Sequence, residues 1–466
     1  MTDYDVCVFG GGPSGAVIAK RLAELGHSVI LVEKQTFPRW HIGLSLTSGI
    51  HHWLELLGID ELIKSKQFHQ TLTSYVLWEN DDIRKKTYTS GKSGYHVDRG
   101  EFDQILMQSA KESGVKVLQP CTLNQLKEGN SGNWNIVATH DNKKQQFSTK
   151  FVVEATGRKS ILKGSKKAYL PKTMATYAFW DQKMQGAEAS FIEAGENEWF
   201  WGAPINNHQY VACIFSDADA IKSYDSVSDF YDEKIHQFTL LHLHQNISRS
   251  QNLKVISCAA TAYKDDKPIG PNYIKVGDAA FSLDPISAQG VQKAIKSAYQ
   301  GAIVVNTILR NEDTNAAISY YDQMIDREIQ KNKRWTQDFY NQQQRFSVSD
   351  FWKKRMNTSL VSEEQDQEVS ISLKKDAVLM VNPKSKIVQT PVVGKELITS
   401  EDGLVLNQQE EPIVFLDQIH VPSLIQQLNH KTILQILKTI QNFYSQTDPM
   451  KVLQWLLYHR ILLVQN

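Results

Sequence analysis

"YDVCVFGGGPSGAVIAKRLAELGHSVILVEK" (residues 4–34) is the stretch that decides the fold. The apolar run from Val6 to Phe9 predicts a buried strand, and a glycine-rich turn leads from it into an amphipathic helix from about Ser14 to Leu25. Gly26 ends that helix, and a second apolar strand ends at Glu33. The stretch therefore predicts a complete βαβ unit, with two parallel strands joined by a helix.

The glycine spacing in this unit indicates a phosphate-binding turn. Gly10 permits a tight turn, Gly12 permits close approach of the backbone to a pyrophosphate, and Gly15 permits close packing of the helix on the strand. The helix N-terminus at Ser14 turns its free N–H groups toward the phosphates. Glu33 follows at the distance expected for an acceptor of ribose hydroxyl groups. The sequence therefore predicts a dinucleotide site.

Composition argues against several other classes of protein. The 466 residues carry 51 Lys and Arg against 51 Asp and Glu, so no overall field attracts nucleic acid or anionic lipid. The four cysteines have no Cys-x-x-Cys spacing, which favours small core residues in a reducing compartment over disulfides or a zinc site. No signal sequence opens the chain, and no apolar stretch approaches about 18 residues. We therefore expect a cytoplasmic protein without a membrane span.

Three further motifs accompany the βαβ unit. They are "YHVDRGEFDQILMQSAKESG" (95–114), "FVVEATGRKSIL" (151–162) and "YIKVGDAAFSLDPISAQG" (273–290). Together with the N-terminal unit they resemble the flavoprotein monooxygenases of the p-hydroxybenzoate hydroxylase fold, including the halogenase branch. The resemblance covers about residues 1–330 and implies tightly but non-covalently bound FAD.

The resemblance assigns roles to particular residues. It implies that Asp278 of the Gly-Asp motif binds sugar hydroxyls of FAD and that Arg99 reaches the cofactor. Pro285 and Gly290 would lie beside the isoalloxazine ring, where a helix N-terminus near Gly290 stabilises an anionic reduced flavin. The full set of cofactor-binding residues expected from the βαβ unit and the resemblance is Gly10, Gly12, Ser14, Gly15, Glu33, Arg39, Arg99, Asp278, Pro285 and Gly290.

The expected fold class is α/β, with three parts. A Rossmann-like FAD-binding domain takes residues 1–67, 96–165 and 259–334, and aromatic-rich alternating strands in 68–95 and 166–258 form a substrate-binding sheet domain. Residues 335–466 form a C-terminal helical and winged-helix-like domain. Within it, "RWTQDFYNQQQRFSVSDFWKKRM" (334–356) predicts a helix.

The end of the chain resembles the leader-peptide recognition modules of peptide-modifying enzymes. Hairpin-like strands are followed by three helical segments with apolar spacing of three and four. The sheet edge "GLVLNQQ" (403–409) and the helix "HKTILQILKTIQNFY" (430–444) are expected to form a groove for an extended peptide. A structural cap over the substrate sheet is the alternative.

Two segments resemble the halogenase branch in particular. "WFWGAP" (199–204) is similar to its W-x-W-x-I-P motif, with Ala203 in place of Ile, and Leu44 stands where an Ile-Gly-Glu-Ser segment usually has Glu. The resemblance implies that Trp199 and Trp201 line the tunnel between flavin and substrate. An aromatic run of this kind is also typical of an ordinary core strand.

The lysine that a halogenase needs to hold hypohalous acid is missing from its expected place. Its pattern is F-x-x-K-x-G, and the nearest match, "FHQTLTSY" (68–75), has Thr71 at the lysine position. A hydroxyl group cannot replace the charge. Lys64 and Lys66 lie slightly upstream and keep a halogenase open, while Gln289 also departs from the usual halide loop.

The sequence therefore favours an FAD-dependent monooxygenase that hydroxylates an aromatic side chain, with tryptophan preferred, in a protein or peptide precursor. It is similar in character to the flavoproteins that mature cysteine tryptophylquinone enzymes. Alternatives are a halogenase and a non-catalytic FAD-containing chaperone. NAD(P)H or a separate flavin reductase would supply electrons. The candidate catalytic residues are His69, His96, Trp199 and Trp201.

Histidine supplies the expected general base. Either His69 or His96 would titrate near neutrality and could remove the ring proton. His242 and His244 in "HLHQN" lack carboxylate or thiolate neighbours, so we expect surface residues there and no metal.

Overall fold

A computed structural model describes residues 2–39, 41–66, 68–89, 93–129, 132–182, 189–243, 247–250, 253–356, 377–406, 411–444 and 446–465. The described chain divides into two compact units. The first contains the described residues up to 314 and from 321 to 356, and the second contains 315–320 and the described residues from 377 onward. The domain limits expected from the sequence stay a prediction.

The first unit contains 22 strands and ten helices among its described residues. The strands are β1 Thr2–Phe9, β2 Val29–Val32, β3 Ser45–Leu46, β4 His69–Gln70, β5 Thr73–Leu77, β6 Arg84–Thr87, β7 Tyr95–His96, β8 Lys116–Leu118, β9 Cys121–Glu128, β10 Trp134–His140, β11 Lys143–Glu154, β12 Lys166–Ala168, β13 Thr173–Gln182, β14 Ala189–Ala194, β15 Glu198–Asn206, β16 Gln209–Asp217, β17 Ile247–Ser248, β18 Ile256–Ala259, β19 Tyr263–Asp265, β20 Ile269–Gly270, β21 Tyr273–Lys275 and β22 Phe281–Ser282. The helices are α1 Pro13–Glu24, α2 Ile50–Leu56, α3 Asp60–Ser65, α4 Arg99–Glu112, α5 Ala218–Lys222, α6 Val227–Ile235, α7 Thr239–Leu243, α8 Gly290–Leu309, α9 Thr314–Asn341, which also supplies 315–320 to the second unit, and α10 Asp350–Lys353.

The first sheet is built around the predicted βαβ unit. Its strand order is β20-β21-β11-β1-β2-β8, with β10 pairing β11 and β9 pairing β10. β1 pairs in parallel with both β2 and β11, so three loops leave neighbouring strands at their carboxyl ends. α1 packs against α4 and α8 next to this sheet. The carboxyl edge of a parallel sheet is where such folds bind ligands.

The second sheet has the order β17-β13-β16-β15-β14-β5-β6, with β18 pairing β13. It draws on two separated stretches, residues 73–87 and 173–259. The strands are mainly antiparallel, and successive side chains face opposite sides. Two hydrophobic clusters therefore cover the two faces: one contains Trp199 and Tyr177, the other Phe200 and Tyr231. This is the mixed α/β architecture that the sequence predicts.

The prediction of a single helix over 334–356 is wrong. The structure ends α9 at Asn341 and starts α10 only at Asp350. The Ser349 side chain accepts a hydrogen bond from the Phe351 N–H group and so caps a new helix. Between the helices, the Arg345 guanidinium donates to the carbonyl of Ala194. Tertiary contacts therefore hold this stretch out of a helix.

The second unit has its own hydrophobic core. Its strands are β23 Val378–Val381, β24 Lys386–Val393, β25 Ile398–Val405, β26 Phe415–Leu416, β27 Ile419–His420, β28 Lys431–Thr432 and β29 Leu462–Val464. Its complete helices are α11 Val421–Ile425, α12 Ile433–Phe443 and α13 Pro449–Tyr458. The sheet β28-β23-β29 and the hairpin β24-β25 accompany these helices. That this unit is a winged-helix-like module stays a prediction.

The predicted peptide-binding edge in this unit needs a correction. One side of β25 pairs with β24 throughout, and on the other side Leu404 exchanges both backbone hydrogen bonds with Ile413. The chain itself therefore occupies the edge at Leu404, and residues 407–409 of the predicted strand lie outside the described residues.

Three of the four cysteines, Cys7, Cys121 and Cys213, are buried, as expected for small core residues, and Cys258 is half-buried. No helix in the described ranges is both long and apolar enough to cross a lipid bilayer.

Candidate cofactor and substrate site

The glycine-rich turn between β1 and α1 depends on two close backbone contacts. Gly10 has φ +100°, and a Cβ atom there would lie 2.4 Å from the carbonyl oxygen of Ala155. A Cβ atom on Gly15 would lie 1.8 Å from the carbonyl oxygen of Gly10. Helix and strand can therefore approach this closely only without side chains at these positions. Ser14 lies in the first turn of α1 and is buried.

Glu33 directly follows β2, one residue beyond the strand that the sequence predicts to end with it. Its carboxylate accepts hydrogen bonds from the Gly11 N–H group at 2.6 Å and the Gln35 N–H group at 2.7 Å. The side chain is buried, so the carboxylate is fixed next to the glycine-rich turn. This is the location that a ribose acceptor requires, and its contact with a ribose stays a prediction.

Asp278 lies in a basic cluster that the sequence analysis missed. Its carboxylate accepts from Lys293 Nζ at 2.7 Å and lies 3.6 Å from Arg158 Nε. Burial alone would raise the pKa of Asp278, but the charges of Lys293 and Arg158 outweigh it and hold the pKa below its usual value. Burial lowers the pKa of Lys293, which is almost fully enclosed. Of the two cations, only Arg158 lies in a motif that the sequence singles out, "ATGRKS" (155–160).

Arg99 has a different contact from the one expected. Its guanidinium pairs with Asp103 through Nε at 2.8 Å and Nη2 at 3.0 Å, and Nη1 donates to the Ile42 carbonyl at 2.8 Å. Arg39 Nη2 lies 3.7 Å from the same carboxylate. In the structure Arg99 therefore anchors the segment at Ile42, and any contact with cofactor would come in addition to these bonds.

The loop before α8 brings the other predicted cofactor residues together. Pro285 lies in a 3-10 turn, Ala288 adopts φ +50°, and α8 begins at Gly290. A Cβ atom on Gly290 would have no neighbour within 4 Å, and the same holds for Gly157 at the end of β11. A Cβ atom on Gly12 would have one neighbour within 4 Å, Nη2 of Arg39 at 3.3 Å. Open space thus borders the phosphate turn, the Ala-Thr-Gly loop and the α8 N-terminus.

These features fit a flavin dinucleotide. Helix N-termini and the basic cluster favour its phosphates, and the open glycines leave room for its rings. A cleft next to Arg99 is lined by Leu44 and Arg99 and by Phe179, Ile205 and Gln209 of the second sheet. The cleft therefore lies between Arg99, a predicted cofactor residue, and the face of the sheet that carries Trp201.

The two tryptophans of "WFWGAP" have different surroundings. Trp199 is buried and stacks on Phe215 with ring centroids 3.8 Å apart, which is the packing of a core side chain. Trp201 is half-buried and meets the His96 ring edge-on at 5.9 Å. Phe200 faces the opposite side of the sheet. Trp201 is therefore the member of the motif that borders the candidate site.

Thr71 and His96 form a pair beside Trp201. Thr71 Oγ1 lies 3.1 Å from His96 Nε2, and the Thr71 N–H group donates to the Gly94 carbonyl. His69 and His96 are opposite each other where β4 pairs with β7. The structure thus brings together three of the four candidate catalytic residues and adds Thr71.

The prediction that His96 titrates near neutrality is wrong. It is 1 % exposed, and burial, helped by nearby His69, lowers its pKa to about 4, although the Pro204 carbonyl acts in the opposite direction. His96 is therefore neutral at pH 7. A base of that strength suits the role of hydrogen-bond acceptor for Thr71 better than that of proton acceptor for a substrate.

The upstream lysines lie on the surface. Lys64 pairs with Asp60 and Glu61 and has 52 % of its side chain exposed. Lys66 pairs with Glu101 and has 40 % exposed. Both lysine side chains therefore already pair with carboxylates at the protein surface.

The described residues contain no group of three or more side chains suited to a metal ion. His242 Nε2 is hydrogen-bonded to the His236 carbonyl, and His244 lies outside the described residues.

Asp278→Ala is expected to weaken FAD binding about 5- to 150-fold, because a lost hydrogen bond to a charged group costs about 1–3 kcal/mol. The change also leaves buried Lys293 without its carboxylate partner. Titration of the apoprotein with FAD, followed by flavin fluorescence, measures the effect. Asp278→Asn keeps an acceptor, so its FAD affinity should lie between those of wild type and Asp278→Ala. Wild-type affinity in Asp278→Ala would show that Asp278 does not bind the cofactor.

His96 is expected to make stability fall in acid. The unfolded histidine binds a proton below its ordinary pKa of 6.5, whereas the folded one binds it only near 4, so its contribution is complete above pH 6.5 and is lost as the pH falls to about 4. The difference amounts to about 3 kcal/mol. Urea unfolding at several pH values should show a shallower acid slope for His96→Gln than for wild type. Parallel slopes would contradict the burial of a neutral His96.

Comparison with known proteins agrees with this geometry. A family model described as FAD binding domain matches residues 3–336. A tryptophan 2-halogenase from Chondromyces crocatus is 28 % identical over 346 residues, which cover 68 % of this chain and 64 % of the halogenase. A 1H-pyrrole-2-carbonyl-[peptidyl-carrier protein] chlorinase from Pseudomonas fluorescens is 26 % identical over 69 % of this chain and 80 % of its own.

Among solved structures, the peptidyl tryptophan dihydroxylase QhpG, essential for tryptophylquinone cofactor biogenesis, has the same fold. It superposes with a TM-score of 0.74 at 22 % identity, over 98 % of this chain and 99 % of QhpG. The match of the family model spans well over half of the chain. The chain therefore belongs to the FAD binding domain family.

Proposed function

We propose that this flavoprotein hydroxylates an aromatic side chain, with tryptophan as first choice, in a protein or peptide precursor. The observation that carries the proposal is Thr71, which stands where a halogenase would have its lysine and is hydrogen-bonded to neutral, buried His96. A neutral pair cannot hold a hypohalite by charge, but it can fix the direction of a hydroxyl group.

In this proposal each residue has a limited role. When bound and reduced, FAD supplies the activation of oxygen. Phe179 lines the cleft with aromatic surface, and Trp201 packs in the same cluster, so both would help to exclude water. The Thr71 hydroxyl contacts the substrate, and His96 is a positioning residue that orients this hydroxyl through their hydrogen bond. Trp199 supports the wall through its stack on Phe215.

The cofactor would be held by the glycine-rich turn, the carboxylate that follows β2 and the basic cluster around Asp278. Gly10, Gly12, Ser14 and Gly15 would surround the pyrophosphate, with Glu33 at the ribose. Asp278, fixed by Lys293, would accept from a sugar hydroxyl. We further propose that the flavin is not covalently attached, so acid precipitation should release it.

Two similar proteins support a peptide or protein precursor. The chlorinase acts on a group carried by a peptidyl-carrier protein, and QhpG is a peptidyl tryptophan dihydroxylase. We propose that the second unit helps to hold the precursor through the exposed face of α12. Leu434 and Phe443 on that helix are more than half exposed.

A halogenase is the second candidate, because the similar curated proteins include halogenases. The proposal predicts that chloride and bromide leave the product unchanged and that Lys64→Ala and Lys66→Ala keep wild-type activity. Product analysis in buffers with and without halide measures this. A halogenated product that disappears in either lysine variant would favour the halogenase.

A chaperone that binds FAD and turns nothing over is the third candidate. Oxygen consumption by the reduced protein, followed with an oxygen electrode, separates it from an enzyme. We expect consumption to rise on addition of the true precursor. Precursor binding with no change in oxygen consumption would favour the chaperone. Whether NAD(P)H or a separate reductase supplies the electrons stays a prediction.

A further inference from the structure

The second half of α9 buries a stripe of polar side chains. Asn332, Thr336 and Tyr340 are four residues apart and share one helix face, and Gln343 follows just beyond the helix. All four are at most 4 % exposed. A buried stripe on a helix is normally apolar, so polar groups here need partners.

Asp284 supplies some of those partners. Its N–H group donates to Asn332 Oδ1 at 3.2 Å, and its Oδ1 accepts from the Tyr340 hydroxyl at 2.9 Å. The same Oδ1 accepts from the Ile286 N–H group at 3.0 Å. Asp284 therefore contacts this face of the helix at two points, one turn before and one turn after Thr336.

Four buried side-chain atoms of the stripe have no hydrogen-bond partner among the described residues. Two belong to the Gln343 amide, and the two that lie nearer the Asn332 end are Asn332 Nδ2 and Thr336 Oγ1. Leaving such groups unpaired costs about 1–3 kcal/mol each. The Asp284 carboxylate accepts from the Ile286 N–H group and the Tyr340 hydroxyl through the same oxygen, Oδ1.

We propose that Asp284, Asn332 and Thr336 bind an internal water molecule. The amide would donate to it, the carboxylate would accept from it, and the Thr336 hydroxyl could do either, which gives the three bonds typical of a buried water. Because burial raises the pKa of Asp284, a further donor also helps to keep the carboxylate ionised.

The site would act on the cofactor loop. Asp284 is the cap of the 3-10 turn Pro285–Ser287, which is followed by Ala288 at φ +50° and by the start of α8. A water that fixes Asp284 therefore also fixes the loop at the N-terminus of α8. The water is a positioning element for FAD and does not depend on which reaction the flavoprotein catalyses.

Thr336→Val tests the proposal, because it removes the hydroxyl with almost no change in shape. High-resolution crystal structures of FAD-loaded wild type and variant should show a water bonded to all three residues in the first and none in the second. FAD affinity should fall about 5-fold or more, and the flavin reduction potential should shift. Thr336→Ser keeps the hydroxyl and should restore all three readouts.

Thr307→Val is the matched control. Thr307 is also buried in a helix, but its hydroxyl donates to the Ile303 carbonyl. The Thr307→Val variant should therefore keep the water and the flavin reduction potential of wild type. Absence of a water between Asp284, Asn332 and Thr336 in the wild-type crystal would overturn the proposal. A Thr336→Val protein with wild-type FAD affinity and flavin potential would overturn its role in positioning the loop.

Discussion

Gly15→Ala is expected to abolish FAD binding and to lower the free energy of unfolding by about 3 kcal/mol or more. The added Cβ atom would lie 1.8 Å from the carbonyl oxygen of Gly10. Both atoms belong to rigid backbone, so α1 has to move away from β1 to relieve the overlap. That movement withdraws the N-terminus of α1 from the phosphates. Urea unfolding and the flavin absorbance of the purified protein measure the two effects.

Gly290→Ala is the matched control for that experiment. Its Cβ atom would meet no protein atom within 4 Å, and its backbone is helical. We therefore expect wild-type stability together with weaker FAD binding, because the methyl group enters the space beside the α8 N-terminus. A Gly15→Ala protein that unfolds like wild type and purifies yellow would contradict the packing at the glycine-rich turn.

Thr71→Val is expected to reduce kcat about 5- to 150-fold and to leave FAD affinity unchanged. The variant removes the hydroxyl that the proposal places against the substrate, and loss of one such hydrogen bond in the transition state costs about 1–3 kcal/mol. Steady-state kinetics with the precursor and an FAD titration measure the two quantities. Thr71→Ser should recover most of the activity, because it keeps the hydroxyl.

Thr73→Val is the control for this variant, because Thr73 lies two residues further along, in β5. We expect it to keep most of the wild-type kcat. Equal loss in both variants would mean that the strand and not the Thr71 hydroxyl is responsible. Wild-type kcat in Thr71→Val would remove Thr71 from the proposed site.

Local sequence patterns could predict the cofactor half of the fold. The βαβ unit depends on periodicity and on glycines within about 30 residues, and the structure places β1, α1 and β2 where the pattern predicts them. The start of α8 at Gly290 was predictable for the same reason. Each of these signals lies within one short stretch of chain.

The contacts that complete the site could not be predicted in this way. Lys293 reaches Asp278 across a loop, and Thr71 meets His96 only because two short strands pair over 25 residues of sequence. The lowered pKa of His96 follows from burial, which residue type does not reveal. The break between α9 and α10 likewise comes from tertiary hydrogen bonds, such as that from Arg345 to Ala194.

The most direct test of the proposed hydroxylation is the mass of the product. FAD-loaded protein would be incubated with reductant, oxygen, chloride and bromide together with candidate precursor proteins, followed by peptide mass spectrometry. The neutral Thr71–His96 pair predicts a tryptophan-containing peptide that gains the mass of one or two oxygen atoms and no halogen. A peptide that gains chlorine or bromine, recognised by its isotope pattern, would contradict it.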